Sequence, residues 1–181
     1  MTPRNIEYGV LESLMTDYEY GRCAMLVKDA ARLAAARVLT DRWDDSFPVD
    51  PVLIAESFNI NVKFESLLPG ISGAIVAEPG KVEILIEENE NFGRQMFTAA
   101  HELGHFIERR DNGDSEYSFV ERRTNEYDLH EFYADEFAGN LLMPEDEFRK
   151  VWQRYESEYM IAAHFGVSPS AALKRKKRLG L

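Results

Sequence analysis

The sequence predicts an α+β fold, with a small sheet in the first half and a mostly helical second half. Three observations carry this. Apolar residues alternate with polar ones around residues 60–64, the period of a half-buried strand. Two further strand-like runs, ISGAIVA and KVEILIEE, are separated by Glu78-Pro79-Gly80, a turn signal that makes them a hairpin. The strands are early and the helical patterns late, so the chain lacks the alternation of a βαβ fold.

The elements follow in order. Residues 21–42 read as an amphipathic helix, because Cys23, Val27, Ala31, Ala34 and Val38 recur at spacings of three and four. DDSFPVDP interrupts the chain with two prolines, and residues 51–58 make a short helix with Pro51 near its start. Ile60, Val62 and Phe64 form the buried side of a strand. Val82, Ile84 and Ile86 share one face of another. Asn91 is placed to cap a helix from about Phe92 to Arg109. Residues 110–125 are polar and aperiodic and read as a surface loop. A long helix covers about Glu126 to Met143, Pro144 ends it, and a further helix takes about 145–157. Two short helices flank Gly166-Val167-Ser168-Pro169, with Ser168 as cap and Pro169 at the first helical position. The expected organisation is an N-terminal extension (1–20), a main domain (21–157), and a C-terminal helical pair (158–181) packed on it.

Composition narrows the function. The chain has 181 residues, 45% of them apolar and 29% charged, which suits a soluble domain with a full core. No apolar run reaches the roughly 20 residues of a membrane span, and the acidic N-terminus lacks the layout of a secretory signal. Cys23 is the single cysteine, read as a plain buried thiol, so no internal disulfide forms and a cytoplasmic location is expected. The net charge is −11. Six basic residues against two acidic ones follow Val151, which leaves −15 on the first 150 residues. So acidic a body does not suit nucleic acid, whose binding needs cationic neutralisation. Only the tail with Lys174–Arg178, which reads like a helix-turn-helix, offers DNA contact. The alternative for that tail is simple packing on the main domain, and that reading is favoured.

The chemistry lies in Thr98-Ala-Ala-His101-Glu102-Leu-Gly104-His105. Positions i and i+4 of a helix share a face, so His101 and His105 aim two imidazoles at one point, at zinc-binding distance. Glu102 is turned about 100° away. It is placed to serve as general base toward a water, with the ion acidifying that water. Gly104 leaves the helix surface bare, for access to the site or for helix packing. A catalytic zinc needs a third protein ligand. Glu131 is the candidate, and Asp135, four residues on, is placed to accept the other ring N–H of a ligand histidine. Tyr127, His130, Tyr133, Tyr159 and His164 are the side chains available as oxyanion donors; packing or a surface role is the favoured reading for each, and His130 has a slight edge because it adjoins Glu131.

FTAAHELGH followed by E-x-x-A-D-x-F-A-x-x-LLMP, with 26 residues from His105 to Glu131, resembles the ImmA/IrrE family of metallopeptidases. The resemblance spans about residues 25–180. It implies a zincin-like fold and a cytoplasmic endopeptidase with one zinc ion per chain. Carried over, His101, His105 and Glu131 are the metal ligands and Glu102 the catalytic glutamate. Family members often occur in phage or other mobile elements and in stress responses. Those with known roles cleave a helix-turn-helix repressor, which implies regulatory proteolysis of a protein partner. No repressor domain precedes the motif here, so the implied substrate is a separate chain. The resemblance also implies that the strand Val82–Glu87 edges the cleft and pairs with substrate. Two alternatives stand beside the peptidase: a module that binds a repressor without cutting it, and a DNA-binding regulator using the C-terminal helices. The intact Glu102 argues against the first and the acidity against the second.

Overall fold

The computed structural model describes residues 17–113, 117–122 and 129–181. Most of the expected N-terminal extension, and Tyr127, lie outside these.

Helix α1 (Asp17–Arg42) buries Ala31, Ala34, Ala35 and Val38. The alanines let another helix come close. Cys23 is only half-buried, a correction to its reading as a buried thiol. Asp50 caps α2 (Pro51–Glu56) by accepting from Val52 N and Leu53 N at 2.9 and 3.1 Å. Strands β1 (Ile60–Glu65), β2 (Ile71–Glu78) and β3 (Lys81–Glu87) follow. Gly80 takes φ +78° between β2 and β3, the left-handed conformation this turn requires.

Helix α3 (Phe92–Asn112) starts at Asn91, whose side chain accepts from Arg94 N, and ends at Gly113 with φ +81°. Gln95 Nε2 donates to the carbonyls of Glu87 and Glu88, tying the start of the helix to the end of β3. β4 (Tyr117–Arg122) lies where the sequence predicts a loop. Its pairing comes from β2, whose outer edge offers unpaired backbone groups, a signal that no local periodicity carries. The last four helices are α4 (Leu129–Leu142), α5 (Glu145–Tyr155), α6 (Glu158–Phe165) and α7 (Pro169–Arg178).

The sheet order is β1-β3-β2-β4, with β1 parallel to β3 and the other neighbours antiparallel. Two consequences correct the sequence reading. β3 is paired on both sides, so Val82–Glu87 is not an edge and has no backbone groups to offer a peptide. Phe64, expected on the half-buried face, is 43% exposed. β1 is an edge strand, buried at Ile60 and progressively less toward its end.

Register places Gly73, Ile75 and Ala77 opposite Ile86, Ile84 and Val82, which puts all six on one face of the sheet. Helix α3 packs against that face. Each fully buried isoleucine there contributes roughly 1.5–3 kcal/mol. Helix α4 is held between α1 and α3. This explains why its buried residues exceed the expected set of Phe137, Ala138, Leu141 and Leu142, and include Tyr133, Ala134, Glu136 and Asn140.

The polar members of that set are matched from the C-terminus. Arg175 is buried, donating to Met143 O at 3.0 Å and to Asn140 Oδ1 at 2.9 Å. Burial pulls its pKa down to about 10, although Glu136 and Glu145 oppose this. Arg178 Nη1 lies 2.9 Å from Glu136 Oε1. Lys176 sits 4.1 Å over the Trp152 ring. Three of the five residues of the basic run are therefore engaged within the fold. Phe148, Phe165 and Phe47 pack together beneath α5 and α6.

Candidate metal centre

Helix geometry does for His101 and His105 what their spacing predicts. Their Nε2 atoms lie 3.2 Å apart, and both residues are almost wholly buried. Helix α4 crosses α3 closely enough to deliver Glu131 to the same point. Its Oε2 is 3.2 Å from His101 Nε2, and its Oε1 is 3.4 Å from His105 Nε2. Gly104 makes the crossing possible: a Cβ there would stand 3.1 Å from Ala134 Cα and 3.3 Å from Ala134 O. Its role is thus helix packing.

These separations test the fit of a metal. Four ligands held tetrahedrally at about 2.0–2.1 Å from zinc stand about 3.3 Å from one another. The two histidine Nε2 atoms stand 3.2 Å apart, and each lies 3.2 or 3.4 Å from one of the two Glu131 carboxylate oxygens, close to that spacing. Two imidazoles and a carboxylate are also the donor set zinc favours. The residues fit.

The electrostatics agree. Burial pushes the His105 pKa down, against the opposing pull of Glu131, which favours the neutral ring a metal needs. Burial alone pushes the Glu131 carboxyl up, but hydrogen bonds from His101 and His105 and their charge outweigh it and hold Glu131 well below the usual range. His101 Nδ1 donates to Asp135 Oδ1 at 3.2 Å. The carboxylate only accepts, so Nδ1 carries a proton, and Nε2, which faces Glu131, is the nitrogen left to a metal. Arg178 Nη2 stands 3.8 Å from the other Asp135 oxygen.

Glu102 is fully buried at the junction of α3 and the sheet. Gly73 of β2 lies over it: a Cβ on Gly73 would come within 3.2 Å of Glu102 Oε1 and would collide with Thr98 Cγ2. The backbone of β2 is thus one wall of the site, a contact no sequence pattern displays.

The sequence of this centre is that of a known family. The family model described as the IrrE N-terminal-like domain, a peptidase family, matches residues 55–177, more than half of the chain. The chain belongs to this family. No curated protein matches the sequence. As an IrrE-type domain the chain has the α+β fold of a metallopeptidase-type family and a group, His101, His105 and Glu131, that could hold a metal ion, and no described helix is long and apolar enough to cross a membrane.

The available oxyanion donors scatter, as their favoured packing or surface roles would have it. Tyr133 packs at 6% exposure with its ring 6.4 Å from that of Phe137, and burial raises its pKa, helped by Glu108 and Asp111. Tyr159 is exposed on α6. His164 packs edge-on against Phe165 and tilted against Phe47. Tyr127 is outside the described residues. His130 adjoins Glu131, and its Nδ1 is engaged by Glu108 at 2.9 and 3.0 Å. Glu108 was missed from sequence, although its place three residues after His105 puts it on the same side of α3.

Proposed function

We propose that this chain is a zinc-dependent endopeptidase that cuts a separate helix-turn-helix transcriptional repressor. The observation that carries this reading is the triangle of His101, His105 and Glu131, with a buried carboxylate, Glu102, beside it. A structural zinc site needs no such carboxylate.

In this reading His101, His105 and Glu131 hold the metal, and Asp135 orients His101. Zinc, when bound, supplies a Lewis acid that brings a water's pKa toward neutrality. Glu102 takes a proton from the attacking water as its oxygen adds to the scissile carbonyl carbon. It then returns that proton to the amide nitrogen as the C–N bond breaks, releasing a carboxylate and an amine. The repressor as substrate, and a cytoplasmic setting, rest on the family resemblance and the single cysteine.

The test is co-incubation with candidate helix-turn-helix repressors, with and without a chelator, alongside Glu102→Gln. Cleavage that requires zinc and vanishes in Glu102→Gln, whose metal content stays near wild type, supports the reading. Cleavage that persists in Glu102→Gln refutes the assigned base. Undiminished zinc affinity in Glu131→Ala refutes the ligand set.

A further inference from the structure

Glu131 is the least constrained of the three ligand residues. His101 and His105 lie mid-helix in α3 and are almost wholly buried, whereas the Glu131 side chain is 27% exposed. It also occupies the first turn of α4, the third residue from Leu129. A ligand there is positioned only as well as its turn is.

The structure pins that turn at the adjacent residue. His130 Nδ1 donates to Glu108 at 2.9 and 3.0 Å, and both side chains are 14% exposed. Glu108 stands three residues beyond His105 on α3, and His130 immediately precedes Glu131 on α4. Two cross-helix links therefore lie side by side, His105 to Glu131 and Glu108 to His130. On the other side of Glu131, Ala134 is held against Gly104.

We infer that His130 and Glu108 form a positioning bracket that holds the first turn of α4 on α3 and so sets Glu131 at the metal. Neither residue touches the metal in this inference; both act through Glu131. The inference rests on the proposed role of Glu131 as a ligand. Shielding from solvent gives such a contact more influence than the same pair on an open surface would have.

The test is zinc affinity of the full chain, measured by competition with a chromogenic chelator and set against the apo-protein melting temperature. His130→Ala and Glu108→Ala are each expected to weaken zinc binding about tenfold, the lower end for residues that support a ligand. The double variant should lose no more than either single one, because one contact is broken in each case. His130→Asn, whose amide nitrogen occupies the place of Nδ1, should stay within about threefold of wild type. Should an alanine variant fail to fold, Glu108→Gln, which keeps the shape and one acceptor, is expected to weaken binding about threefold.

Zinc affinities within twofold of wild type in the alanine and glutamine variants overturn the bracket, as do losses that add fully in the double variant. A lowered melting temperature with unchanged zinc affinity also overturns it, since that is the signature of a contact serving stability alone. Glu131→Ala separates the two levels. If it loses zinc while His130→Ala does not, only the bracket fails. If it keeps zinc, the ligand assignment beneath the bracket fails.

Discussion

Gly104→Ala sets two effects of opposite sign against each other. Replacing glycine with alanine inside a helix stabilises by about 1 kcal/mol when nothing else changes. Here the new Cβ would stand 3.1 Å from Ala134 Cα, 3.2 Å from Phe137 Cδ1 and 3.3 Å from Ala134 O. Comfortable carbon contacts begin near 3.5–4.0 Å, so α4 must retreat by roughly half an ångström. Two of the three obstacles are backbone, and Phe137 is fully buried, so rotating a side chain does not relieve the clash. Overpacking of this kind costs about 1–3 kcal/mol, which outweighs the gain in propensity. The expected result is a net loss of about 0.5–2 kcal/mol. Glu131 rides on α4 one turn from Ala134, so the retreat also stretches its 3.2 and 3.4 Å separations from the histidines. Zinc affinity should fall about tenfold. Gly139→Ala, on the same helix α4, is the control. A Cβ there meets nothing within 4 Å, so that variant should gain about 0.5–1 kcal/mol and keep its zinc affinity. Urea denaturation of the apo proteins and zinc competition measure both. If Gly104→Ala is stabilised like Gly139→Ala and binds zinc normally, the close crossing does not govern the site.

Gly73→Ala should cost about 1–3 kcal/mol and most of the proposed peptidase activity, since β2 is driven against Thr98 and Glu102; adding Thr98→Ala, which removes the blocking methyl, should restore much of the stability. Equal stability of the single and double variants in urea would contradict this. Arg175→Ala leaves the buried Asn140 Oδ1 and Met143 O without their donor and should destabilise by about 3 kcal/mol, read as a lowered melting temperature, whereas Arg178→Ala, on a partly exposed side chain, should cost much less. For pH, the folded-state pKa of His105 is depressed by burial, so its stabilising contribution is present above the unfolded value of about 6.5 and is lost as pH falls below it. Apo-protein stability between pH 7.5 and 5.5 should therefore fall further in wild type than in His105→Gln; equal slopes would refute the assignment. Glu131 carries the same sign at lower pH: its contribution is present above about 4.5 and is lost only as pH falls through its depressed folded value.

Local chemistry was readable wherever one helix supplied it. His101 with His105, and Glu131 with Asp135, are i, i+4 pairs, and helix geometry alone makes each pair share a face. The caps at Asn91 and Ser168 and the turn at Gly80 were legible for the same reason: neighbouring residues make them. That Glu131 is the third member of the cluster came from its chemical type and from the family resemblance. The 3.2–3.4 Å separations between them came only from the fold.

The remainder depends on groups far apart in the chain. β4 exists because β2 has an open edge, and β3 is central because β1 pairs with it in parallel; neither fact leaves a trace in local periodicity. The basic run at Lys174–Arg178 looks alike residue by residue. Arg175 is buried against Asn140 and Met143, and the more exposed Arg178 pairs with the buried Glu136, while Lys174 and Lys177 remain exposed. His130 and Glu108 are unremarkable in sequence until two helices bring them within 3 Å. The sequence by itself determined which side chains can do the chemistry, because residue type and helical repeat are local properties. Tertiary structure decided where they meet and what holds them there, because the contacts at Gly104, Gly73 and His130 are made only when separate elements pack.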